Sequence, residues 1–278
     1  MKALRRLGAG GLLAALSLTA QAELKPEWEL GAGVAAIDFP LYRGAADRRA
    51  YVLPTPYVQY RGEFLQVDRE RVRGLLFRRE RVELDISVNG SVPVSSEDSS
   101  ARRGMPDLDP TLELGPELQL HLYYDERRHT NLDLRLPLRP VFAVNFGRFD
   151  HVGWLAHPQL NLDLKNVLRS GWNLGLQAGW LYGDRGYHAY FYDVASPYAT
   201  ATRPAYSAPG GASGRQFIAA LSRRQGDVWM GAFAKYDDLR SAAFAGSPLV
   251  QKREDYSAGF AIAWVFAKSQ KLVETSDD

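Results

Sequence analysis

The chain has 278 residues, 46% of them hydrophobic and 24% charged, with a formal net charge of +2 and no cysteine. Mean hydropathy is −0.28, and beyond residue 22 no apolar run approaches the roughly 18–20 residues of a membrane-spanning helix, which excludes a helical membrane protein and a disulfide-stapled scaffold. The first 22 residues carry three positive charges and no negative one, so without them +2 becomes −1, and this balance argues against nucleic acid as a partner.

Lys2, Arg5 and Arg6 precede the apolar run LGAGGLLAALSLT and then Ala20-Gln21-Ala22. Positive start, apolar middle and small-x-small end are the three parts of a secretory signal peptide, which predicts export and cleavage after Ala22. Residues 27–37 follow as a first strand, with Trp28, Leu30, Ala32, Val34 and Ala36 on one face. Residues 39–49, FPLYRGAADRR, read as a loop by their Pro, Gly and charges. Residues 51–60 are a strand despite Pro54 and Pro56. After the tight turn at Arg61-Gly62, residues 63–69 and 72–77 form two shorter strands. Residues 81–94 alternate again, and residues 95–110 form a polar loop.

The clearest pattern lies in residues 111–138, TLELGPELQLHLYYDERRHTNLDLRLPL. Leu112, Leu114, Leu118, Leu120 and Leu122 share one parity, and Glu113, Glu117, Gln119 and His121 share the other. Beyond DERR, Leu132, Leu134, Leu136 and Leu138 alternate with Asn131, Asp133, Arg135 and Arg139. A period of two fits and 3.6 does not, so these are two long strands of one hairpin. A row of leucines facing out against a row of full charges facing in suits a membrane barrel, where lipid and lumen alternate. Pro116 and Pro137 each remove a ladder donor inside it.

Residues 145–152 read as a loop, 154–165 and 172–182 as strands, and 184–214 as a long gap rich in Tyr, Ala, Pro and Gly. Residues 216–223, 228–236 and 256–266 close the series, and beyond the leader no stretch has helical period. The expected organisation is a signal peptide at 1–22, a barrel at 23–266 and a polar tail at 267–278. The fold class is all-β: a transmembrane antiparallel up-and-down barrel of about 12 strands if three strands lie between Gly62 and Ser95, or about 10 if one does. Tyr123, Trp172, Trp229, Trp264 and Phe266 fall at the short-turn ends of their strands. Trp154, Trp180, Tyr182, Tyr236 and Tyr256 fall at the long-loop ends, as two interfacial girdles would.

Asp150-His151 and His157 are the best candidates for an activated-water site, but it needs a second pair that the sequence does not supply, and the 151/157 spacing matches no metal-ligand motif. His188 reads as a loop residue beside aromatics. No nucleophile elbow or P-loop is present, so the expectation is a non-enzyme with no catalytic residue, cofactor or metal. If Tyr124 pairs with Arg128 across a three-residue turn, Glu113 faces Arg139, Glu117 faces Arg135 and Gln119 faces Asp133. Glu113, Glu117, Asp133, Arg135 and Arg139 then form a charge ladder that fills a narrow lumen or, alternatively, a selectivity surface for a solute.

Residues 257–264, SAGFAIAW, look like the terminal signal by which outer-membrane barrels are assembled, followed here by Phe266 and the tail. The strings PLYRGAADRRAYVLPTPYVQYRGEF, DLDPTLELGPELQL with LDLRLPLR, and YFYDVASPYATATRPAYSAPGG resemble, in that order, the MltA-interacting protein (MipA) and OmpV family of Gram-negative outer-membrane proteins. The resemblance spans most of the chain beyond the leader and implies a barrel in outer-membrane lipid. For the best-known member it implies a scaffold bridging a periplasmic lytic transglycosylase, which cuts peptidoglycan, and a peptidoglycan synthase. Other members imply porin-like or adhesive roles. A scaffold would use periplasmic turns and the tail. A surface role would use Tyr190, Tyr192, Arg203 and Tyr206 in the long gap as anchors, or that segment is a lid packed into the barrel mouth.

Overall fold

The computed structural model describes residues 23–68, 71–125 and 129–275; Ala20, Ala22 and Arg128 lie outside them. In chain order the strands are β1 (Glu23–Pro26), β2 (Trp28–Pro40), β3 (Arg48–Arg61), β4 (Leu65–Val67), β5 (Val72–Arg79), β6 (Val82–Ser91), β7 (Thr111–Asp125) and β8 (Thr130–Asn145). They continue as β9 (Arg148–Ala156), β10 (Gln159–Val167), β11 (Trp172–Gly183), β12 (Gly211–Gln225), β13 (Val228–Asp238), β14 (Glu254–Lys268) and β15 (Leu272–Thr275). One helix, α1 (Arg185–Tyr192), lies between β11 and β12.

Every neighbouring pair is antiparallel, and β14 returns to β2 from Ala258↔Asp38 to Lys268↔Glu29, closing the ring. Both β9 and β10 pair with β8 on one side and β11 on the other, so they are two parts of one barrel strand interrupted at His157-Pro158. The ring therefore has twelve strands, β2 to β14, with three strands between Gly62 and Ser95. Separately, β1 and β15 pair as a two-stranded ribbon from Glu23↔Thr275 to Pro26↔Leu272. The expected tail thus includes the end of β14 and the ribbon strand β15.

The leucine parity holds in space. Leu114, Leu122, Leu138, Leu160, Leu176 and Leu221 are exposed on the outer wall, whereas Glu113, Glu117, Gln119, Asp133, Arg135 and Arg139 are buried inside it. The core is consequently not in the wall. It sits in the loops at one end of the ring, where Leu41, Tyr42, Ala45, Val94, Leu108, Tyr192, Ala208, Leu239, Ala242 and Phe244 pack together.

Four expectations are corrected. The β7–β8 register places Glu113 opposite Val141, Glu117 opposite Pro137, Gln119 opposite Arg135 and His121 opposite Asp133, two residues from the expected pairing. The connection is longer than three residues, Asp125 facing Thr130, and a bulge lies between His121 and Tyr123. Because the slip is even as far as the bulge, the side chains from Glu113 to His121 keep their faces. Residues 145–152 are not a loop: Phe146 (φ 43°) and Gly147 (φ 85°) make a two-residue turn between β8 and β9, the left-handed pair that suits strand twist. Trp229 does not join a girdle; it packs inside the ring on Tyr57, Ala263 and Val265. The long gap holds a helix, started by Asp184, whose side chain accepts from Tyr187 N at 2.8 Å.

Candidate functional site

Inside the ring, one wall carries the charges that β6, β7, β8 and β10 turn inward. Arg139 donates to Glu117 at 2.9 Å and to Ser87 at 2.8 and 2.9 Å, and its other terminal nitrogen lies 3.7 Å from Glu113. Arg71 donates to Glu117 and Gln119, each at 3.2 Å. Gln119 in turn donates to Asp133 at 3.0 Å, and Asp133 also meets His121 Nδ1 at 2.7 Å and Asn131 at 3.0 Å. Arg135 reaches Asn161, whose amide oxygen accepts from Arg135 Nε at 2.8 Å when turned towards it. Glu83 is held by Arg73 at 3.2 Å and by Arg78. All five ladder residues enter this network: Glu113 with Arg139 and Gln119 with Asp133 meet as expected, reaching diagonally across the shifted register, whereas Glu117 takes Arg139 and Arg71 in place of Arg135. Low accessibility makes such a network favourable only when nearly every member is paired. Among the described residues Asp85 departs from this most: it is fully buried, stands opposite Glu117, and neither of its carboxylate oxygens is hydrogen-bonded.

The facing wall is built differently. Gly31, Gly33 and Ala35 of β2 stand opposite Val265, Ala263 and Ala261 of β14, and close approach explains the glycines: a Cβ on Gly33 would lie 2.1 Å from the Ile262 carbonyl oxygen. At the loop end of this wall Asp237 is held by Arg43 at 2.8 Å, Gln216 at 3.1 Å and Lys235 at 3.3 Å. At the short-turn end Glu29 is held by Arg61 at 3.3 Å and by Arg224.

Above the lumen, residues 41–47, 92–110, 184–210 and 239–253 combine into a lid. The Tyr192 and Phe244 rings stack at 3.7 Å and 8°, and the Tyr192 hydroxyl donates to the Arg43 carbonyl at 3.0 Å. Tyr42 donates to the Leu249 carbonyl at 2.9 Å, and burial pushes its phenol up to about 12. His188 is fully buried on α1. Its Nδ1 lies 2.6 Å from the Pro209 carbonyl, so that nitrogen carries the proton, and Nε2 accepts from Ser213 Oγ at 2.6 Å. The tie joins α1 to β12, and burial lowers the imidazole below its ordinary range.

The four loop residues singled out from sequence all work within this lid. Tyr190 donates to the Asp109 carbonyl at 3.0 Å and Tyr206 packs on the lid core. Arg203 donates to the carbonyls of Ala101 (2.8 Å), Arg103 (3.0 Å) and Tyr198 (2.8 and 3.1 Å). The histidines are not brought together: His151 is exposed between Phe142 and Trp154, whereas His157 is buried inside over Gly179. Among the described residues, no group of three His, Asp or Glu side chains is placed to hold a metal. Sequence reasoning missed His188, Arg43 and Asp237 as structural ties. Only the Asp-x-x-Tyr-His start of the helix signals the first.

A twelve-stranded ring with leucines outside, paired charges inside and aromatic girdles defines an outer-membrane β-barrel with packed loops over one end. The chain belongs to the family described as MltA-interacting protein MipA, which it matches over residues 30–266. No curated protein is similar in sequence at a significant level. Solved structures with a similar course include a bacterial polysaccharide outer membrane secretin (8% identity, TM-score 0.40, covering 88% of this chain and 100% of that one). Others are the COG4313 outer membrane channel from Pseudomonas putida F1 (13%, 0.38, 89% and 99%) and a Pseudomonas aeruginosa FadL homologue (10%, 0.30, 87% and 90%).

Proposed function

We propose that this barrel is exported by its signal peptide and acts as a non-enzymatic scaffold, offering its periplasmic end to a lytic transglycosylase of the MltA type and to a peptidoglycan synthase. The loop-covered mouth is the observation that carries the reading: four loop segments share one apolar core above a lumen whose charges are mostly paired, an arrangement poorly suited to bulk axial flow. The family description, which names interaction with MltA, supports the partner. Short turns and the β1–β15 ribbon are the surfaces available on the opposite side.

The test is co-isolation of the full chain from detergent-solubilised membranes with a purified transglycosylase. Replacing the turns at Gly62 to Phe64 and at Gly226-Asp227 should reduce capture at least tenfold, whereas Arg203→Ala in the lid should leave it unchanged. Undiminished capture would overturn the docking surface. Stepwise single-channel current whose ion preference follows charge reversal of Arg135 or Arg139 would replace the scaffold by a small-solute pore.

A further inference from the structure

β3 is paired along its whole length with β2, from Trp28↔Tyr60 to Pro40↔Arg48. On its other side it meets β4 only at Tyr60↔Val67 and Arg61↔Gln66, because β4 has three residues and the chain reverses into β5 at Val72. β5 then pairs with β6 up to Ser87, while β6 continues beside β7 to Ser91. Among the described residues, the part of β3 above Tyr60 and the part of β6 above Ser87 therefore have no strand between them. Three strand spacings separate β3 from β6 along the wall, an interval of about 14 Å.

Exposure at both rims agrees. Runs of exposed residues elsewhere lie at strand ends, as in β5, β7 and β9, but Val52 (74% exposed), Leu53 (48%) and Pro54 are exposed on successive positions in the middle of β3, and Val88, Asn89, Gly90 and Ser91 are all exposed at the end of β6. Leu53 shares the inward parity of Tyr57 but, unlike it, is exposed, as an inward side chain beside an unpaired strand edge would be. The opening lies in the lipid band, since the outward residues on both rims, Val52, Pro54, Pro56 and Val88, are apolar. Above it residues 92–110 arch across to β3: Ser100 donates to Asp47 through N (2.6 Å) and Oγ (2.7 Å), and Asp98 pairs with Arg49.

An open strand edge facing hydrocarbon is not tolerated unless it lines a solvated space or is otherwise satisfied. Here the edge is adapted for being open. The β2–β3 ladder passes Pro54↔Val34 and Pro56↔Ala32 without a register shift, so the missing N–H groups are on the side away from β2, at the gap. Thr55 Oγ1 donates to the Pro56 carbonyl at 3.4 Å. An edge carrying two prolines cannot complete a ladder with an added strand, which disfavours a protein partner there. Between the Arg49–Asp98 pair above and Arg71, paired with Glu117, below, the rim side chains Val52, Leu53, Thr55, Val88, Asn89 and Ser91 are uncharged.

We propose that this gap is a lateral portal through which small uncharged amphipathic molecules pass between the outer leaflet and the lumen, independently of any scaffold role. A chain without cysteine makes the test direct. Leu53→Cys and Asn89→Cys are introduced together in the full-length protein in cells and bridged with bis-maleimides of increasing length, and uptake of N-phenyl-1-naphthylamine, an uncharged aromatic amine, is followed by fluorescence. Bridging should lower the protein-dependent rate at least fivefold, the reagent leaving the cysteine-free parent unchanged. An unaltered rate, or no protein-dependent rate, overturns the portal. So does a specific adduct between Leu53→Cys and another polypeptide. If the double variant does not fold by heat-shift on gels, a bimane attached at Leu53→Cys in bilayers with brominated acyl chains decides: quenching to at most half its intensity supports an open wall, and full shielding refutes it.

Discussion

Tyr192 and Phe244 come from segments 52 residues apart and lie as a parallel pair in the middle of the lid, with His188 edge-on to Phe244 at 4.7 Å. The imidazole is neutral there because burial disfavours its charged form. Nearby Arg43 and Arg185 act in the same direction, while Asp184 and the Pro209 carbonyl oppose them. The unfolded imidazole takes up a proton near pH 6.5 and the folded one only at lower pH, so the unfolded state holds more protons in that interval. Lid stability is therefore complete above about pH 6.5 and declines as the pH falls through and below it. Hydrogen exchange of the α1 amides should accelerate on going from pH 7.5 to 5 after correction for intrinsic rates, and His188→Gln should remove that dependence. Equal protection at both pH values in the parent would show that the tie does not titrate.

At the scale of elements, β8 and β9 show how a turn can extend strands past the position their polarity suggests. Phe146 is fully exposed in a left-handed conformation that a side chain with a Cβ adopts only at a cost of about 1–2 kcal/mol. Asn tolerates that region well, and Asn-Gly is the preferred pair in such a turn. Phe146→Asn should stabilise the barrel by on the order of 1 kcal/mol, read as a higher midpoint for loss of the folded band on heated gels. A lowered midpoint would mean that the Phe146 ring anchors the hairpin in the interface. β3 offers the contrasting case: its two prolines are compatible with a long strand because one edge needs no donors.

Across the whole molecule, twelve strands enclose a lumen that side chains fill unequally. Charged residues occupy the β6–β8 wall, small residues the β14–β2 wall, and the lid closes the external end. Shortening residues 194–208 removes Val194, Tyr206 and Ala208 from the lid while sparing α1 and β12. In planar bilayers the parent should be silent and the shortened barrel should give stepwise current, with heat-shift retained in both. A silent shortened barrel would place the seal in the Arg139–Glu117–Arg71 network instead.

Sequence by itself determined the class of fold and which side chains face the lumen. Both follow from a period of two, which survives an even register slip: Glu113, Glu117, Asp133, Arg135 and Arg139 stayed inside although the residues opposite them in the backbone ladder moved by two. Sequence also marked residues 184–214 as a functional or lid segment, but not the helix in it, since the eight residues RGYHAYFY are too few to establish a period within a Tyr-, Pro- and Gly-rich segment. Only tertiary structure decided that Trp229 points inward, that Tyr190, Tyr192, Arg203 and Tyr206 serve the lid, and that β3 and β6 border a gap. Those outcomes depend on which distant segments meet. The length of β4 determines the gap, and contacts between loops up to about 200 residues apart, such as Tyr42 with Leu249, determine the lid. Local periodicity carries no information about either, because the hydrogen bonds and packing concerned are made between residues far apart in the chain.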